Sequence, residues 1–184
     1  RVHADNVDGT FDVNEGTKME LGSTAKLRTL VHYLNVMSEL HGTLTALPDD
    51  VVRDRAKASR DPLTQWAAET IRDNPGITLE NFLSQSLDRK YSASPYEAFY
   101  TGGGVLTFEN YEKSDNGKIL PIREAVVHST NLVFIRLMRD LVRYHEARLP
   151  YDVERIMGPG NTDRKSNAEL QSHHDLVWRL LLEK

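Results

Sequence analysis

ELGSTAKLRTLVHYLNVM, residues 20–37, decides how this chain is read. From Ser23 onward Leu27, Leu30, Val31, Leu34, Met37 and Leu40 recur at helical intervals along one face. The helix opens on Gly-Ser-Thr and carries Lys26 three residues after Ser23, so the two side chains share a face about one turn apart. Helix capping accounts for the serine. It does not account for the lysine. In the first turn of a helix, unpaired N–H groups and the dipole favour negative charge, which suits a serine alkoxide or an oxyanion. A serine hydroxyl attacks only when a neighbour removes its proton. A lysine amine does this when desolvation or nearby positive charge lowers its pKa. The Ser-x-x-Lys spacing is not specific by itself. A capping serine beside a solvated lysine is the plain alternative.

Outward from this segment the chain keeps a helical pattern. Residues 1–22 are polar and read as loop, and Gly42 is the expected end of the first helix. SRDPLTQWAAETIRDNPG begins with Asp61-Pro62, a cap and a first-turn proline, and ends at Asn74-Pro75-Gly76. TLENFLSQSLDRK places Leu79, Phe82, Leu83 and Leu87 at helix spacing behind Thr78 as cap. SPYEAFY reads as a short helical start broken by Gly102-Gly103-Gly104, and VLTFENYEKSDNGK as a few strand-forming residues followed by a polar turn. PIREAVVHS and NLVFIRLMRDLVRYHEA are helical in pattern. GPGNTDRKSN is a loop, and a last helix is expected from about Asn167. The expectation is a mainly α fold with one or two short strands at most.

Composition narrows the function. The chain has 184 residues, 27% charged and 39% hydrophobic, which is ordinary for a folded domain. A net charge of −4 gives no electrostatic pull toward nucleic acid or anionic lipid. There are no cysteines, so disulfides and thiol catalysis are excluded. No apolar run approaches the ~20 residues of a membrane span, and no signal peptide stands out. The chain starts at Arg1 and stops inside a helical pattern, so it reads as a piece of a longer protein. His173 and His174 are adjacent and, even with Glu169, make no three-ligand metal set. His32, His41, His128 and His145 have no ligand spacing either. His128, just before Ser129, is placed to tune a site electrostatically.

A Ser/Lys acylation site needs a second hydroxyl to relay protons and an amide to hold substrate. Ser-x-Asn supplies both, and it occurs twice, at Ser114-Asp115-Asn116 and Ser129-Thr130-Asn131. The first sits in a polar turn before Gly117. The second lies between two apolar helical segments, where polar groups are partly buried and need partners. Its plain alternative is a cap for the following helix.

With both elements present, LGSTAKLRTLVHYL resembles the Ser-x-x-Lys segment of the penicillin-binding transpeptidases. TFENYEKSDNGKILPIREAVVHSTNLVFIRL resembles their second segment, an Asn-Tyr stretch, a helix, Ser-x-Asn and an apolar helix. The order agrees, and the closest type is the transpeptidase domain of bifunctional (class A) penicillin-binding proteins. The resemblance covers about residues 16–41 and 105–140. It implies the helical subdomain of the serine β-lactamase-like fold across residues 1–184, with the antiparallel sheet largely missing and residues 43–95 inserted.

The resemblance also implies roles. Ser23 is the acylated nucleophile, Lys26 takes its proton, and Ser129 passes a proton to the leaving amine. Asn131, with Thr130 in the same tripeptide, binds the substrate amide. The implied activity is D,D-transpeptidation of peptidoglycan stem peptides ending in D-Ala-D-Ala, with β-lactams as acylating mimics and no cofactor. The parent protein is expected to be membrane-anchored and to act at the periplasmic face. The family's Lys-Thr-Gly strand has no match after Asn131, and YTGGG at 100–104 carries Tyr100 where lysine belongs. The chain alone is therefore expected to turn over little substrate, since an oxyanion-hole donor is worth about 3–4 kcal/mol. Two other readings stand beside this one. In a non-catalytic helical interaction module, Trp66, Phe82, Tyr91, Tyr96 and Phe99 would form the partner surface. A serine β-lactamase would need one of Glu80, Glu97 and Glu109 to activate water.

Overall fold

A computed structural model describes residues 22–101 and 104–149. The expected loop over residues 1–21, the GPGNTDRKSN loop, the last helix and the Glu169/His173/His174 group lie outside the described residues. The elements are α1 (Thr24–Thr45), α2 (Asp49–Ala58), α3 (Pro62–Asp73), α4 (Leu79–Ser86), β1 (Lys90–Ser92), β2 (Phe99–Thr101), β3 (Gly104–Leu106), β4 (Ile119–Pro121), α5 (Ile122–His128) and α6 (Asn131–Glu146). The fold is mainly helical, as the sequence pattern predicts.

Local chemistry sets several boundaries. The Asp61 carboxylate accepts the Thr64 N–H at 2.7 Å and Pro62 occupies the first turn, so α3 begins where expected. The Thr78 hydroxyl accepts the Asn81 N–H at 3.3 Å and opens α4. Helix α2 buries only Val52 and Ala56, one turn apart. It places Asp49 and Asp50 in its first turn and Arg55 and Lys57 in its last, which complements the helix dipole.

Three expectations need correction. Helix α1 runs through Gly42 to Thr45, because Leu40 and Leu44 are buried on either side of the glycine. Burying two leucines outweighs the ~1 kcal/mol that a mid-helix glycine costs. The buried face of α1 is also rotated from the expected one: Tyr33, Val36, Met37, Leu40 and Leu44 face the core, while Leu27 and Val31 are exposed. Finally, SPYEAFY is not helical. Phe99–Thr101 pairs antiparallel with Gly104–Leu106, so the described residues hold four short strands, β1 pairing with β4 and β2 with β3.

Helix α1 packs against α3, α4 and α6, while α2 packs on α3 and β1 lies against α6. The Tyr33 hydroxyl donates to the Ser86 carbonyl at 2.9 Å, tying α1 to α4. Arg89 and Tyr91 both reach the buried Asp140 of α6, at 3.2 and 2.7 Å. Residues 43–95 are part of this core. Val52, Leu63, Ala67, Ala68, Ile71, Phe82 and Tyr91 pack in one cluster with residues of α1 and α6.

Candidate active site

Helix α1 begins in an unusual way. Gly22 has φ +52°, left-handed backbone that favours glycine, and nothing lies within 4 Å of where a Cβ would be. Its glycine requirement is therefore conformational, not steric. Ser23 follows with φ −67° and ψ −15°, already helical, and its side chain makes no capping hydrogen bond. The hydroxyl is exposed and is not spent on the helix end.

Helix α5 ends in a second left-handed residue. Ser129 has φ 53° and ψ 37°, and its N–H bonds back to Val126 while that of Thr130 bonds back to Ala125. This bend turns both the carbonyl and the hydroxyl of Ser129 toward α1. Lys26 Nζ donates to the Ser129 carbonyl at 2.6 Å and to Ser129 Oγ at 2.8 Å. Ser129 Oγ lies 3.3 Å from Ser23 Oγ, and Lys26 Nζ lies 3.4 Å from it. Two hydroxyls and one amine from segments over a hundred residues apart therefore form a triangle.

Burial lowers the Lys26 pKa below the ordinary lysine value. No carboxylate pairs with Lys26 among the described residues. With Lys26 charged, the donors run from Lys26 to Ser129 to Ser23. Loss of one lysine proton lets the chain reverse, so that the Ser23 proton passes toward Lys26, directly or through Ser129. The Ser23 contacts are long for hydrogen bonds, and unliganded catalytic sites are often this loose before substrate closes them.

The other two predicted residues face elsewhere. Thr130 is buried, and its hydroxyl donates to Asp115 Oδ2 at 3.0 Å. It is a support of the turn; its place in the substrate-binding set is corrected on this ground. Asn131 is half-buried at the start of α6, and its Nδ2 donates to the Glu109 carbonyl at 2.9 Å. Its side chain is thus anchored beside the triangle and not hydrogen-bonded into it.

The competing tripeptide has become the foundation of the chosen one. Ser114-Asp115-Asn116 forms a 3₁₀ turn in which the Asp115 carboxylate takes Lys118 Nζ at 2.8 Å as well as Thr130. These partners hold Asp115 below the usual carboxylate range, Lys118 first. Asn110 is buried, accepts the Leu132 N–H at 3.0 Å, and donates to the Ala93 carbonyl and Asn116 Oδ1. Sequence reasoning missed Asn110 and Asp115 as supports. The signal was there in their clustering within one polar turn, but their partners are set by the fold.

Of the carboxylates considered for activating water, Glu97 is held in an ion pair. Burial acts against the charge of Glu97, but Arg139 and Arg136 hold its pKa below the usual range, and Arg136 pairs with it at 2.8 Å. Glu80 and Glu109 are exposed. Of the aromatics considered for a partner surface, Phe82, Tyr91 and Phe99 are buried and Trp66 is half-buried, leaving Tyr96 exposed. Comparison of the chain with protein-family models, curated proteins and solved structures found no match.

Proposed function

We propose that this chain is the helical part of a serine acyltransferase of the penicillin-binding D,D-transpeptidase type. The observation that supports it most is the triangle of Ser23, Lys26 and Ser129, residues singled out by the Ser-x-x-Lys and Ser-x-Asn patterns and their flanking helices, which lie within 3.4 Å of one another. Ser23 Oγ attacks the carbonyl carbon of the penultimate D-Ala, and its proton passes to neutral Lys26. The tetrahedral oxyanion collapses, the C–N bond breaks, and the terminal D-Ala amine leaves with a proton delivered through Ser129. An amine from a second stem peptide then attacks the acyl ester, and Ser23 recovers its proton. A β-lactam stops at the acyl-serine. This reading places the natural protein at the periplasmic face of the inner membrane.

The test is covalent labelling. Fluorescent penicillin, added to the natural full-length protein, is expected to give an adduct whose peptide mass maps to Ser23 and which vanishes in Ser23→Ala. A folded protein that takes no label, or labels equally in Ser23→Ala, ends this reading and favours the interaction module. Rapid turnover of a chromogenic β-lactam without a lasting adduct would favour hydrolysis over transpeptidation.

A further inference from the structure

Away from the triangle, α1 and α6 meet again at two histidines. His32 Nε2 lies 2.8 Å from His145 Nε2, the rings are 14° from parallel, and their centroids are 5.1 Å apart. That centroid separation is as large as one hydrogen bond and two ring radii allow. The two nitrogens therefore point at each other along the line joining the rings, which are coplanar and not stacked face to face. A metal ion does not fit between them. Two metal–nitrogen bonds in line would need about 4 Å between the nitrogens.

One Nε2–H must lie between the rings. In the neutral pair, one imidazole donates from Nε2 and the other accepts with its bare Nε2 while carrying its proton on Nδ1. A first added proton is accommodated on Nδ1 of the donor, and the hydrogen bond survives as imidazolium to imidazole. A second proton has only the accepting Nε2 to occupy. It sets two N–H groups head to head and two positive charges side by side. We propose that His32 and His145 form a proton-operated latch between α1 and α6, closed with up to one added proton and opened by the second.

The surroundings bias the latch toward the closed state. Both rings are half-buried, and burial lowers the pKa of each. At His145, His32 and Arg148 add to this lowering, while Glu39 of α1 and Asp61 at the start of α3 oppose it. Tyr144 packs edge-on against His145 at 5.1 Å and carries no charge in this range. Because the folded pKa values are depressed, the folded chain holds fewer protons than the unfolded one. The latch contributes fully above the unfolded histidine value of about 6.5 and is lost as pH falls through the folded values. Of the helices it joins, α1 carries Ser23 and Lys26 at its start and α6 begins two residues after Ser129, yet the latch stands whether or not Ser23 is a nucleophile.

Imidazole ¹⁵N spectra of the wild-type chain, followed from about pH 8 to about pH 5, test it across the ordinary histidine range. The expected result is a coupled titration of His32 and His145 in two steps, the later one below the ordinary value. Faster amide exchange in α1 and α6 should accompany the later step. Two independent titrations at the ordinary value, or a later step that leaves both helices equally protected, would overturn the proposal. In His32→Phe/His145→Phe, the acid-induced fall in Tm across this range should shrink. A fall of unchanged size would also overturn it, and the wild-type spectra decide the matter if that variant fails to fold.

Discussion

Ser129 holds two properties that a pair of substitutions separates. Its left-handed backbone costs a non-glycine residue about 1–2 kcal/mol, and its hydroxyl accepts from Lys26. Ser129→Ala and Ser129→Gly remove the same hydroxyl, but only glycine relieves the backbone. Ser129→Gly should therefore unfold at higher urea than Ser129→Ala, by about 1 kcal/mol. Under the proposed function, both variants lose the same relay and should show the same drop in penicillin labelling. Equal stability would mean the bend is not strained, and the orientation of its carbonyl toward Lys26 would need another cause. At this scale the sequence was informative about chemistry and blind to backbone. Ser23 and Lys26 were singled out by residue type and spacing, and Ser129 by the apolar helices that flank it. Nothing in the letters Ser-Thr-Asn shows that the first of them is left-handed or that the second turns inward to Asp115.

Helix starts show where local reading works and where it stops. Asp61 and Thr78 cap their own helices from the position just before them, so their roles are written in adjacent residues. The cap of α6 is supplied from a distance. Thr130 makes no side-chain cap, and Asn110, twenty residues upstream, takes the Leu132 N–H instead. Replacing Asn110 with alanine removes three hydrogen bonds, leaving the Leu132 N–H and the Ala93 carbonyl without a partner. Buried unpaired groups cost about 1–3 kcal/mol each, against about 1 kcal/mol for an exposed cap. Asn110→Ala should therefore lower stability by about 3 kcal/mol in chemical denaturation, and Thr78→Ala by about 1 kcal/mol. Asn110→Ala should also loosen the start of α6 and with it Ser129. Equal costs for the two substitutions would show that Asn110 is not the cap that holds this turn.

At the scale of the molecule, periodicity identified the helical class but misplaced the core face of α1, and it could not show how residues 43–95, which the family resemblance marks as inserted, join the core. The reasons are physical. Leu27 and Val31 have the same apolar character as Leu40 and Leu44, and only the positions of α3, α4 and α6 decide which pair is covered. An inserted segment and an integral one have the same helical pattern, because both bury one face. Phe82 distinguishes them. It is fully buried, lies 5.4 Å from the Trp66 ring and 5.1 Å from the His41 ring, and belongs to the cluster that includes Tyr33, Met37 and Leu137. Phe82→Ala should cost about 3–5 kcal/mol through lost burial and the cavity it leaves. If residues 43–95 folded as a separate unit, faster amide exchange would stay within α2, α3 and α4. Because one core joins them to α1 and α6, exchange should rise in all five helices together, and unfolding should remain a single transition. Acceleration confined to α2–α4 would show two cooperative units. The scaffold under Ser23 and Lys26 would then be α1 and α6 alone.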